Sequence, residues 1–586
     1  MRIAGLAIFG VLAVASCASD ASNGTDRISR PSEYMGWSEQ AYDGYVRTSF
    51  YVPVRDGTKL AVDLYRPTKG GAVASEKLPV VWMHSPYNRR TYRGGETAET
   101  YPGFALKLAP YGYNVAVVDF RGVYASYGMN IGYNRGEWVD AAKFDAYDIT
   151  EWFAKQPWSN GRIGMWGCSA TGGSQMQALT TQPPSLKAVI PMSAEFDAYS
   201  FTTLGGVSDP GRIAPPGQSG DASAIAARDK VAAAVDGAEG AAALAAAVAS
   251  HRDNIESVGV APFKDSISPA TGLVWWQKSS PHTYLADLKK TNIGVLSVAN
   301  WDEAGTRHGP FFTFNNMPAK NTKLLVGPAT HCAWTAVKDE TGFDLVTEEL
   351  RFFDYWLKGK KNGVMDEPAV TYFTYNAPKE TQWRTSETWP LKTERRTNFF
   401  LTPDGLAPAP ASAQSERLTP MGPPPAAQTT TIEAAPGGAF YETAALAKDM
   451  EVTGHPVMTL WLRTDAGDAD VTARIEDIAP EGSARSYQMT GRLRASHRQL
   501  ATPPYNYLNL PWQTHLQADA KPVPTGQPVE LKFDLLPMSY IFKAGHRLRI
   551  TLTFADPQRR DQPPPVVILA GGATPSAINL PLIPVR

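Results

Sequence analysis

Six short apolar runs, each closed by polar or turn residues, constrain this chain more than anything else in it. They read LPVVWMHSPY, YNVAVVDFRG, GRIGMWG, LKAVIPMSA, TNIGVLSVANWD and TKLLVGPATH. Runs of this length and Val content are what strands buried on both faces look like. Between them lie helical patterns, among them ATGGSQMQALTTQ and WVDAAKFDAYDITEWFAKQ. In the latter, Phe144, Tyr147, Ile149, Trp152 and Phe153 fall near a 3.6-residue period and predict one buried helix face. Alternating β and α segments imply a doubly wound, mostly parallel α/β sheet. Ahead of it, alternation on both sides of Arg55-Asp56-Gly57 predicts a β-hairpin.

The rhythm breaks twice. Residues 201–287 are rich in Ala and predict helices with no strand between them, an inserted cap that divides the α/β core into 41–200 and 288–365. A flexible linker is the alternative. The helix LVTEELRFFDYWLKGK closes the core. From 366 to 586 the texture becomes short alternating strands such as PAVTYFTYN, RTNFFLT, PVMTLWLRT and HRLRITLTFA, split by Pro- and Gly-rich turns. That is the pattern of an all-β sandwich or jelly roll. A chain of 586 residues has room for these units.

The first 16 residues have the shape of a lipoprotein-type signal peptide: Arg2, then an apolar run from Ile3 to Ala15, too short to span a bilayer. Val14-Ala15-Ser16-Cys17 resembles a bacterial lipobox, which makes Cys17 the lipidation candidate and 17–40 a tether. The alternative is a plain signal peptide cut near Ala15 or Ser16, with Cys17 incidental. Either way the expectation is an exported protein, periplasmic or anchored at the outer membrane, that touches membrane only through lipid. A formal net charge of -1 and the lack of a basic cluster with interleaved aromatics speak against nucleic acid.

Chemistry concentrates at Gly161–Gly173, GRIGMWGCSATGG. A strand turning sharply into a helix exposes its middle residue at the helix N-terminus, and here that residue is Ser169. The pattern departs from G-x-S-x-G, since the second glycine comes one residue late. A serine nucleophile needs a base, and the base an orienting acid. In α/β hydrolases they follow in the order serine, acid, histidine, each just past a strand. Asp302 follows IGVLSVAN and His331 follows TKLLVGPAT, so Ser169, Asp302 and His331 form the candidate triad. A bare turn at Ser169 and a satisfied loop histidine at 331 are the structural alternatives. His84 precedes the serine and reads as a packed histidine near the site. Asp119 and Arg121 read as structural, an ion pair near it. No His/Cys/Asp cluster has metal-ligand spacing, and neither metal nor cofactor is implied.

These residues carry a resemblance to the cocaine esterase and X-Pro dipeptidyl-peptidase family, which includes glutaryl-cephalosporin acylases and α-amino-acid ester hydrolases. DAYDITEWFAKQPWSNGRIGMWG resembles its helix-to-elbow segment and SVANWD its acid strand. FKAGHRLRITLT resembles part of its jelly roll. The resemblance implies an α/β hydrolase with a helical cap and a C-terminal jelly roll. PYNRR resembles the oxyanion segment, which makes Tyr87 a hydroxyl donor beside the N–H of Ala170. Ala170 stands where the family usually has Tyr, so the pocket wall differs. Only one carboxylate, Glu303, follows Asp302 at once, which argues against a preference for free α-amines.

Cys168 precedes the candidate nucleophile and Cys332 follows the candidate base. In a working triad Ser169 and His331 meet, so their neighbours lie close, and a Cys168–Cys332 disulfide is expected. The same Cys-Ser, Asp, His-Cys arrangement resembles the otherwise different tannase and fungal feruloyl esterase family. Two buried thiols are the alternative. The reading is a serine hydrolase acting on a small-molecule acyl ester or amide. An X-Pro dipeptidyl-peptidase or amide acylase on the same triad is the runner-up, and a non-catalytic ligand-binding lipoprotein stands last. Homo-oligomers are possible.

Overall fold

The structure, a computed structural model, describes residues 29–34, 38–90, 102–207, 221–256, 261–303, 305–418, 438–486, 489–554 and 565–584. The expected signal peptide and Cys17 lie outside the described residues. The strands of the first sheet are β1 (Gly44–Pro53), β2 (Lys59–Lys69), β3 (Ala72–Val73), β4 (Leu78–Ser85), β5 (Asn114–Asp119), β6 (Ser159–Cys168), β7 (Leu186–Met192), β8 (Gly294–Asp302), β9 (Thr322–Thr330), β10 (Val370–Phe373) and β11 (Trp383–Ser386). Their order is β1-β2-β5-β4-β6-β7-β8-β9-β10-β11, with β3 beside β2. From β5 to β10 every neighbour is parallel. The expected hairpin is β1–β2, paired from Gly44↔Thr68 to Pro53↔Lys59, with Gly57 at φ 85° in its turn. Val115, Val117 and Val118 of β5 are fully buried, each stabilising the fold by about 1.5–2 kcal/mol.

Two expectations about elements need correction. The strand in PAVTYFTYN does not open the jelly roll. It is β10, hydrogen-bonded in parallel to β9, and β11 extends the same sheet. The two sheets of the β unit begin with the strand Arg395–Thr402. The helix expected from Trp138 begins only at Asp145 and buries Ala146, Ile149 and Phe153. Phe144 and Tyr147 lie under the guanidinium of Arg55 instead, 4.0 and 5.4 Å from its carbon. A cation over their rings replaces core packing.

The described part of 201–287 is built around helices, Asp221–Lys230 and Gly240–Ala249 the longest. It is joined to the core by Ser49 N–H donating to Asp236 and to the β unit by Lys264 N–H donating to the carbonyl of His515. The β unit holds two antiparallel sheets, one containing Val457–Arg463 and Ala577–Ile583, the other Asp470–Ile478 and Arg547–Thr553. Their facing apolar residues form a core of their own. No helix among the described residues is long and apolar enough to cross a membrane.

Within the expected tether Ser29, Tyr34 and Ser38 are docked. Arg351, in the closing helix Leu345–Lys358, donates to the hydroxyl and the carbonyl of Ser29, both at 3.1 Å. Asp354 of that helix accepts from Tyr34 at 2.6 Å and Ser38 at 2.7 Å.

A buried acid beside the helix that follows Ser169 sets one pH dependence. Glu137 lies in the turn Tyr133–Trp138, and burial pushes its carboxyl up to about 8 against the pull of Arg135. A folded-state pKa above the unfolded value gives stability that is full below the ordinary carboxylate range and is lost as pH rises through about 8. Glu137→Gln should therefore melt close to wild type near pH 5 and above it near pH 9. Thermal scans at the two pH values check this, and a gap that does not widen would contradict it.

Candidate active site

β6 ends at Cys168, and Ser169 adopts φ 64°, ψ -126° before the helix Ala170–Thr181. A non-glycine residue there is strained, and such strain persists only where the surroundings fix it. Here Ser169 N–H donates to Met192 O at 3.0 Å, and Gly172 and Gly173 donate to Ser169 O. The late second glycine has a steric counterpart. A Cβ on Gly167 would come 2.4 Å from Thr171 Oγ1, and that hydroxyl donates to Cys168 O at 2.7 Å. Gly167 clears the space that Thr171 fills. Asn88 (φ 74°), Ser193 (φ 47°) and Cys332 (φ 62°) share the left-handed conformation around the same site.

Tyr87 follows the end of β4, with its N–H on Ser85 Oγ at 2.9 Å. Its hydroxyl lies 3.5 Å from Ser169 Oγ and 3.4 Å from the Ala170 nitrogen. Both expected oxyanion donors thus border the serine.

The carboxylate that meets His331 is that of the residue after the expected Asp302. His331 Nδ1 meets Glu303 Oε2 at 2.6 Å, and its hydrogen-bond partner is not Asp302. The β8–β9 register shifts between Asn300 and Asp302, so counting to the strand end stops one residue short. Glu303 is buried and also accepts from Thr306 at 2.7 Å and Ser193 at 2.9 Å, with Asn300 at 3.4 Å. These donors hold a carboxylate without solvent. Its bond to Nδ1 places a proton there and leaves Nε2 free to act as a base. The His331 ring is half-exposed. Asp302 is half-buried, and burial raises its pKa while Arg307 opposes the rise. The one signal in the sequence was that two carboxylates stand side by side.

Cys168 and Cys332 form the expected disulfide, 164 residues apart in sequence with Cα atoms 5.9 Å apart. A ring nitrogen of His331 and the two sulfur atoms lie within 4.8 Å of one another. Joined as a disulfide, the sulfurs offer no thiolate to a metal.

Asp119 and Arg121 are placed differently from expectation, while His84 is where it was expected. Asp119 does not pair with Arg121. It takes Arg89, through the backbone N–H at 2.6 Å and Nη1 at 2.8 Å, and Arg121 grips Asp145 and Asp56. His84 is a packed histidine, 4.3 Å from the Phe120 ring, and burial lowers its pKa to about 3.

Residues 56–333 match the family described as X-Pro dipeptidyl-peptidase (S15 family), and residues 362–576 match the X-Pro dipeptidyl-peptidase C-terminal non-catalytic domain. A protein of Mycobacterium bovis described as "Putative serine esterase" is 28% identical, over 88% of this chain and 91% of its own. The cocaine esterase of a Rhodococcus species is 25% identical, over 88% of this chain and 92% of its own. A CocE/NonD family hydrolase from Staphylococcus aureus shares the fold, with TM-score 0.70 and 21% identity over 92% of this chain and 94% of that one. With core, cap and β unit arranged as described, the chain belongs to the cocaine esterase and X-Pro dipeptidyl-peptidase (CocE/NonD) family of serine hydrolases.

Proposed function

We propose that the protein is an esterase that works through an acyl-enzyme, with Ser169 as nucleophile, His331 as base and Glu303 as the orienting acid. The observation that carries this reading is the Glu303–His331 hydrogen bond at 2.6 Å, on a loop that the disulfide ties to the serine. Ser169 Oγ attacks the acyl carbonyl as His331 Nε2 takes its proton. Glu303 offsets the charge of the imidazolium, and Tyr87 and the Ala170 N–H receive the oxyanion. His331 then protonates the leaving alcohol, water attacks the acyl group by the same route, and the acid leaves.

The test is a paired rate: kcat/KM for a short-chain nitrophenyl ester and for an X-Pro anilide, with Ser169→Ala as control. Ester turnover lost in the variant and no anilide cleavage support the esterase. Anilide cleavage puts the peptidase first, and full ester turnover in Ser169→Ala removes the mechanism. Tyr87→Phe should lower kcat at least about tenfold with KM nearly unchanged, because its hydroxyl acts on developing charge. An unchanged kcat in the same assay would remove Tyr87 from the oxyanion site.

We place the protein outside the cytoplasm, tethered through a lipid on Cys17. The leader-like N-terminus supports this, and so does a disulfide of a kind that persists in oxidising compartments. Radiolabelled fatty acid that enters wild type but not Cys17→Ser would support the tether, and equal labelling would exclude it.

A further inference from the structure

The segment that carries Tyr87 is gripped from two sides. From below, Arg89 is buried between Asp63 at 2.9 Å and Asp119 at 2.8 Å. From above, consecutive residues reach the cap: Asn88 Nδ2 donates to Val231 O at 3.2 Å, and Arg89 Nη2 donates to Ala233 O at 2.6 Å. Both carbonyls belong to the strap that leaves the helix Asp221–Lys230. The strap is itself pinned at each end. Asp229 meets His251 Nδ1 at 2.8 Å, whose Nε2 meets Ser126 O of the core at 2.8 Å. At the other end Asp236 accepts from the Ser49 N–H at 2.7 Å.

We propose that the cap strap, residues 228–236, is a positioning element for the oxyanion donor, setting the Tyr87 hydroxyl through Asn88 and Arg89. Asn88 sits at φ 74°, where the chain does not rest unaided, and its side chain holds the turn by accepting from Arg90 N–H at 3.0 Å while donating to the strap. Loss of the strap bond frees a strained residue directly beside Tyr87. The cap thereby acts on the rate of the chemical step, beyond shaping where substrate enters.

This inference rests on the reading of Tyr87 as oxyanion donor, and the test separates the two. Asn88→Asp keeps the oxygen that accepts from Arg90 and removes the donor to Val231. In full-length enzyme it is expected to lower kcat about tenfold with KM within about twofold. In the Tyr87→Phe background the same change should cost less than about twofold, since contacts acting through one group are not additive. A second variant, Asp229→Ala, loosens the strap from His251 without touching the oxyanion segment and should show the same dependence on background. Equal costs in both backgrounds, or a change in KM alone, would overturn the inference. No loss of kcat in Tyr87→Phe would instead refute the underlying reading.

Discussion

Glu303→Gln should lower kcat by about 10³- to 10⁴-fold, while Asp302→Asn costs less than about tenfold. The glutamine amide has the shape of the carboxylate but no charge to set against the imidazolium. It also presents one acceptor where two oxygens now serve Ser193, Thr306 and His331. Turned one way, its NH2 faces Nδ1 and imposes the tautomer that cannot accept the serine proton. Binding is untouched, so the loss appears in kcat, and circular dichroism should show an intact fold. Ester kinetics on the two single variants decide the matter, and the reverse pattern would return the role to Asp302.

Breaking the disulfide should cost activity before it costs the fold. Cys168→Ala with Cys332→Ser, or mild reduction, is expected to lower kcat about 100-fold, because displacements of about 1 Å at a catalytic group have that effect. The half-exposed His331 ring has Glu303 as its hydrogen-bonded anchor, and the bridge beside it is the second restraint. Closing a loop of 164 residues contributes up to about 5 kcal/mol in the chain-entropy account. The melting temperature should therefore fall too, while at 25 °C the reduced protein stays folded and slow. Activity and ellipticity followed together during reduction test this. Loss of both at one reductant concentration would make the bridge structural, and full activity in the double variant would remove its role altogether.

The sharp turn at Ser169, the loop place of His331 and the bridge were legible because each is fixed by local chemistry and chain order. Ser169 stands where a strand turns into a helix, and rare cysteines flank both it and His331. Glu303 was hidden by one register shift, which moves the presented residue without leaving a mark on composition. β10 joins the first sheet although its alternation reads as a jelly-roll strand, because alternation is the same at the edge of one sheet as inside another. Asp119 and Arg121 stand two residues apart in sequence, yet their charges are met by Arg89 and Asp145, partners that only the folded sheet brings near. Phe144 and Tyr147 keep helical spacing while covering a cation instead of the core.

The docking of Ser29, Tyr34 and Ser38 on the closing helix has a consequence for how the enzyme can be carried. Asp354 is fully buried and shares its oxygens among Tyr34, Ser38 and Tyr113. A leader or immobilisation handle exchanged ahead of Ser29 leaves all three of those bonds in place. A truncation past Ser38 leaves that carboxylate short of two donors inside the fold, a cost of several kcal/mol. The enzyme is thus portable between leashes, on cells or on solid supports, provided that the graft joins before Ser29.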